Sequence, residues 1–387
     1  MRRIIRIKAM QGLYTYYNNR SVNEDDIRQK AASRLIEIPD FYNATAQEKA
    51  GFLALMPVFL DDAFGAGLDI ESLPENQKWL GKMARQAFAD WNKENEQEIK
   101  RIRTSMAQDI RRQTATEVSF WNLFLDLAQE ISRTENQKTQ RYLDNEPSLP
   151  HTLKFAEHPW LPFLEEALHP KKGKVPPASR QWDRETIISL YQTLMVDLTE
   201  YQAYRDKPEA TPEDHAEIFK VMYRKLFKSE RFNETMLEHD LHWSENRILL
   251  EVSLKTTYKT LQQGEVPRFE PNAAEEEEYI GFFDTLFDAT REHFEEDDAV
   301  IREVSVNWDA DRLPVLDKWI IHLSVNEMRK FPHIPVKVTI NEYLEIAKAY
   351  STPGSAGFIN GVVDKMSKRL QQAGKIRKSA KGMMDNK

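Results

Sequence analysis

The chain has 387 residues, 41% of them hydrophobic and 30% charged, with 13 glycines and no cysteine. That balance excludes wholesale disorder, and the missing thiol excludes disulfides, thiolate zinc or iron–sulfur sites and a cysteine nucleophile. The net charge of −8, taken alone, counts against a nucleic-acid binder.

The distribution of charge says otherwise. Residues 1–20 hold Arg2, Arg3, Arg6, Lys8 and Arg20 with no acid, a charge of +5, and residues 365–387 hold eight bases and one acid, a charge of +7. The rest of the chain therefore carries −20, the remainder when +12 is taken from −8. Apolar runs are short. The longest, 51–60, is broken by Pro57 and followed by Asp61 and Asp62, far from the ~20 residues that span a bilayer. The opening lacks the apolar core of a secretory signal, so the expected location is cytoplasmic.

In chain order, apolar residues recur at helical intervals: Trp79, Leu80, Met83, Ala87, Phe88 and Trp91, then Phe120, Phe124 and Leu127. The pattern returns at Ile188, Tyr191, Leu194, Met195 and Leu198, and at Ile218, Val221, Met222 and Leu226. No stretch shows sustained strand alternation, so the predicted class is all-α, a helical bundle with a large inserted helical region. Breaks fall at 145–150, 169–177, 207–212 and 264–271, the last followed by Glu275 to Glu278. Beyond it, Phe282, Phe283, Leu286, Phe287 and Phe294 form one stripe, ending in the acidic run 295–298, and Leu316, Ile320 and Leu323 form the next. Thr339 and Glu342 have capping-box spacing, and Ser355 is placed to cap the final helix.

The stretch 334–348, with Thr339-Ile340-Asn341-Glu342 at its centre, and the stretch 355–365, containing Phe358-Ile359-Asn360-Gly361, resemble the C-terminal half of the NusB family of transcription antitermination factors. The opening from Arg2-Arg3 to Gln11-Gly12-Leu13-Tyr14 resembles that family's first helix, and Trp308 to Asp317 resembles the stretch leading into its middle helices. The resemblance covers about a third of the chain. It implies a NusB-like domain built from 1–40 and 276–370, an insertion at 41–275 of unassigned role, as in long Bacteroidetes members, and a basic flexible tail at 371–387. It further implies a non-enzymatic RNA-binding protein that, with the ribosomal protein NusE, holds boxA-type single-stranded RNA. Such a protein joins the RNA polymerase antitermination complex and promotes transcription of ribosomal RNA operons. No cofactor is implied.

Carried over residue by residue, Arg2, Arg3 and Arg6, with Lys8, match positions that approach RNA. Tyr14 and Phe358 match positions near both the RNA and the partner. Gly357 departs from the family, where many relatives place a lysine, and removes one expected phosphate contact. Independently of the resemblance, Arg2, Arg3 and Arg6 fall within roughly a 100° arc of one helix, able to fork onto phosphates. They are expected to project from its first turns beyond the packed region. Tyr14, Tyr16, Tyr17 and Phe358 are candidates for base stacking.

Each signal has a plainer reading. Terminal arginines are commonly a solvated end, Tyr14 and Phe358 suit a core equally well, and the acidic runs suit solvated faces or attraction for a basic partner. Lys375, Arg377, Lys378 and Lys381 suit either a solubilising tail or non-specific RNA attraction. Glu238-His239-Asp240-Leu241-His242 has metal-ligand residue types but lacks the i,i+4 histidine spacing of a zinc hydrolase helix, and packing is its first reading. NusB-like domains also precede RNA cytosine methyltransferases, but this chain lacks the cysteine those enzymes use. The competing alternatives are a transcription-complex scaffold that has lost RNA binding and a metal-dependent enzyme.

Overall fold

The helical periodicity is realised throughout the computed structural model, which describes residues 2–65, 67–143, 154–155, 157–169, 182–194, 198–240, 243–271, 273–305 and 313–383. Among these the regular elements are helices. They run α1 (Arg2–Arg34), α2 (Pro39–Tyr42), α3 (Ala46–Phe64), α4 (Lys78–Leu143), α5 (Leu161–Leu168), α6 (Arg184–Leu194), α7 (Thr199–Asp206) and α8 (Pro212–Lys228). They continue as α9 (Glu230–His239), α10 (Trp243–Gln262), α11 (Ala273–Glu292), α12 (Phe294–Val304), α13 (Val315–Lys330), α14 (Val336–Tyr350), α15 (Ser355–Gln372) and α16 (Ala380–Met383). The chain divides into two compact units, 108–278 and 2–107 with 279–387. Residues 41–107, assigned above to the insertion, thus share a unit with both ends of the chain. The expected breaks at 145–150 and 170–177 and the Trp308–Arg312 stretch lie outside the described residues.

Local chemistry explains the boundaries. The stripes around Trp91 and Phe124 lie on one 66-residue helix, α4, because no proline or glycine occurs between Gly81 and Pro147. The acidic run 295–298 opens α12 instead of ending α11, which puts Glu295, Glu296 and Asp297 in a first turn where the helix dipole favours them. Two capping assignments are corrected. Thr339 lies one turn inside α14, which Pro335 opens without a side-chain cap, and Gly354, at a φ of 97°, rather than Ser355, precedes α15. Capping boxes form instead at Thr45 with Glu48 and at Thr211 with Asp214.

In the unit 108–278, Trp121 and Phe124 of α4 pack with Phe219, Phe232 and Trp243 from α8, α9 and α10 in one buried core. His158 is enclosed there. Its Nδ1 accepts from the Trp160 N–H at 3.1 Å, which leaves Nε2–H to donate to the His215 carbonyl at 3.0 Å. Burial pushes its pKa down to about 3.

The unit 2–107 with 279–387 holds two cores. The smaller joins the end of α1 to α3 and the start of α4 through Leu35, Phe41, Met56, Phe59, Leu60 and Leu80. The larger surrounds α13, in which every residue from Trp319 to Met328 is buried, the signature of a helix covered on all sides. Its neighbours are α1, α12, α14 and α15. Gly12 of α1 sits where a Cβ would stand 2.9 Å from the Ile102 Cγ2 of α4 and 3.4 Å from the Phe287 ring of α11.

Two outcomes follow. Gly12→Val overpacks this junction and lowers stability by about 1–3 kcal/mol, read as a lower urea midpoint. The His158 ring is neutral when folded but protonates near 6.5 when released. Its contribution is therefore intact above pH 6.5 and is lost as pH falls toward 3. The urea midpoint should decline across that range, and His158→Gln should flatten the decline.

Candidate nucleic-acid interface

The first two turns of α1 carry the candidate basic cluster, and α13 and α14 decide what each member can do. Ile4, Ile5, Ile7 and Met10 are buried, which pulls the turn between them into the bundle. Arg6 goes with them. Only 3% of it is exposed, and its guanidinium forks onto Glu327 of α13, Nε to Oε2 at 2.7 Å and Nη2 to Oε1 at 2.8 Å. Thr339 of α14 donates to the same carboxylate at 3.0 Å. Burial opposes the charge on Arg6, but the hydrogen bonds and charge of Glu327 outweigh it and the pKa of Arg6 is raised. The expectation that all three arginines project beyond the packed region is thus corrected for Arg6.

Arg3 stands at the rim. It makes a bidentate pair with Glu342 of α14, at 2.8 and 2.6 Å, and a quarter of its side chain remains open. Glu342 also receives Arg6 Nη1 at 3.3 Å. Although burial works against its charge, these cations hold its pKa below the usual carboxylate range. Arg2 is exposed and Lys8 is buried.

The four aromatic candidates separate in the same way. Tyr16 is buried under the Arg291 guanidinium, 4.6 Å from its ring centroid. Tyr17 packs against both Phe294 and Trp319, at 4.8 and 4.6 Å. Tyr14 is 43% exposed, and Phe358, near the start of α15, is half-buried. Gly357 beside it is exposed, with open space where a side chain would stand. Eleven residues separate Arg3 from Tyr14, so they share a stripe about 16 Å apart along the axis.

The other charged runs are largely engaged. Asp297 is fully buried and accepts from Asn326 at 2.7 Å and from Arg329 at 2.8 and 2.6 Å. Asp298 pairs with Lys318 at 2.6 Å, and Glu296 with Lys375 at 2.7 Å. The solvated-face reading of this run is therefore corrected. Residues 374–383, expected as a flexible tail, lie on the connector between α13 and α14, as argued below. In the histidine cluster, Asp240 accepts from Asn246 at 2.8 Å, and His242 lies outside the described residues. Among the described residues no group of three potential ligands is positioned for a metal.

Sequence reasoning missed Lys337 and His333, both exposed near the start of α14. The available signal was the absence of any acid between Glu327 and Glu342.

Comparison with known proteins assigns this architecture. The NusB family model matches residues 245–368. The chain is 40% identical over 113 residues to the transcription antitermination protein NusB of Thermodesulfovibrio yellowstonii, covering 29% of this chain and 74% of that relative. It is 36% identical over 103 residues to the protein of that name from Salinibacter ruber, covering 27% of this chain and 64% of that protein. Against its Natranaerobius thermophilus counterpart the figures are 36% over 92 residues, 24% and 66%. The chain thus spans just under two thirds of the Salinibacter and Natranaerobius proteins it matches. No solved structure matches it.

The geometry separates a structural arginine from a rim arginine. Arg6→Ala leaves Glu327 buried without its partner and should cost about 3–5 kcal/mol in urea unfolding. Glu327→Gln in the same background should recover part of that loss. Arg3→Ala, at the partly open pair, should cost about 1 kcal/mol or less.

Proposed function

The chain belongs to the NusB family, and from that membership we propose that it is a non-enzymatic transcription antitermination factor that grips single-stranded RNA. The proposed RNA is of the boxA type, held together with the ribosomal protein NusE as part of the RNA polymerase antitermination complex on ribosomal RNA operons. The carrying observation is the rim of the bundle: Arg2 exposed, Arg3 partly open, and Tyr14 exposed three turns along the same helix. Guanidinium forks suit phosphate oxygens, and an open tyrosine face suits an unstacked base, each such contact being worth about 1–3 kcal/mol. In this reading Arg2 and Arg3 hold the RNA backbone, Tyr14 and Phe358 lie near both RNA and partner, and Arg6 acts by fixing α1. Lys8, buried, has at most a supporting role.

The scaffold alternative gains from the burial of Arg6 and Lys8, which leaves fewer cations open than the sequence implied. Fluorescence anisotropy separates the two readings. With a boxA-like RNA plus NusE, the intact chain should form a complex, and Arg2→Glu combined with Arg3→Glu should weaken it at least roughly tenfold at low salt. A folded, intact chain that binds NusE but no RNA would leave the scaffold standing.

A further inference from the structure

Three acid-free stretches of this chain, 2–23, 328–341 and 365–384, belong to one compact unit. All three meet at one end of the bundle. The first is tied in by Arg6 to Glu327 and Arg3 to Glu342, the two carboxylates that flank the second. The third folds back onto the second. Lys378 Nζ donates to the Phe331 carbonyl at 3.0 Å, and the Ser379 N–H and hydroxyl donate to the Pro332 carbonyl at 3.0 and 3.2 Å.

This docking is built into the sequence. Ile376 is buried at 4% exposure, anchoring the segment. Gly382 is buried against the Pro332 carbonyl oxygen, which a Cβ would strike. Lys378 is half-buried, close enough to Glu327 to feel its charge, and burial pushes its pKa down to about 8. Around this anchor Arg377 and Lys381 stay exposed, with Lys337 and His333 exposed on the connector and the first turn of α14. Among the described residues Arg377 donates within its own turn, to the Gly374 carbonyl at 3.1 Å. Lys375, at the start of the segment, is held by Glu296 instead. The segment lies beyond the family-matched residues, which end at 368.

We infer that residues 375–383 are a docked strap whose Arg377 and Lys381, with Lys337, extend the RNA-binding rim by contacting phosphates of the same strand. The inference rests on the RNA-binding reading above and adds a surface to it. Ordering by Ile376 and Gly382 distinguishes this strap from a solubilising tail, because a docked cation keeps its position relative to Arg2 and Arg3. RNA is favoured over an acidic protein because the strap's open cations continue the rim read above as RNA-binding; Met383 and Val338, exposed beside them, are the apolar groups a protein partner would use instead, and polyglutamate competition separates the two.

The test titrates a 20-nucleotide unstructured RNA against the full chain at several salt concentrations. Lys337→Glu with Arg377→Glu and Lys381→Glu should lower low-salt affinity at least roughly tenfold, and the salt slope should shrink by about 0.7 for each lost contact. Arg224→Glu with Lys225→Glu and Lys228→Glu, all exposed on α8, makes the same change in net charge and should change affinity far less. Glutamine at the three strap positions, with an unchanged thermal unfolding midpoint, separates lost contacts from lost folding and should give the same slope change. Equal loss in the α8 control, an unchanged slope, or equally effective competition by polyglutamate would each overturn the strap. No RNA binding by the unaltered chain, with NusE or without it, would overturn the RNA-binding reading as well, whereas loss confined to the Arg2 and Arg3 variants would remove the strap alone.

Discussion

A single buried ion pair organises the bundle. Glu327 projects from a helix covered on all sides and is itself fully buried, so its charge needs a partner inside the protein or the helix could not stay there. Arg6 supplies two parallel hydrogen bonds and Thr339 a third. Three helices, α1, α13 and α14, are thereby fixed in one register at one end. Against a well-packed apolar substitute such a pair adds little net stability. Its value here is specificity: slid by one turn in one direction, α1 would present Ala9 or Met10 to a naked carboxylate, and in the other Arg2 or Arg3 would leave Glu342 to meet it.

The same pair decides which cations face outward. With Arg6 drawn inward, Glu342 is left to balance Arg3 at the rim, and Arg3 is held with its fork already oriented. A pre-oriented guanidinium loses less entropy when it meets a phosphate than a free lysine does. The cost is competition, since Glu342 and a phosphate want the same donors. Exposure of a quarter of the Arg3 side chain leaves it open to an added anion, while Arg6, bonded to both carboxylates and buried, is out of reach of one.

The fold class was readable because helix periodicity needs only local spacing, and the breaks before α8 and α11 followed from proline and glycine. The C-terminal family motif was readable for the same reason, being contiguous. What failed were assignments that depend on distant partners. Thr339 and Glu342 have the spacing of a capping box, yet their side chains go to Glu327 and Arg3, and no local rule reports a carboxylate 321 residues from Arg6. The acidic run at 295–298 looked solvated because its partners Asn326 and Arg329 lie about thirty positions away. The docking of the C-terminal segment was hidden likewise, in one glycine and one isoleucine among lysines.

Net charge misleads for a related reason. At physiological ionic strength a charge is screened over about 8 Å, so a phosphate senses its immediate surroundings rather than the sum over 387 residues. What governs attraction is whether a local patch is free of carboxylates. Here three acid-free stretches converge, and Glu327 and Glu342, which border the middle one, are each engaged by arginine. Long single-sign runs scattered over separate faces would give the same total with no such patch. An acidic chain is therefore compatible with a cationic rim: an anionic strand is drawn to wherever carboxylates are neutralised and is repelled wherever acids stand uncompensated, whatever the sum of charges.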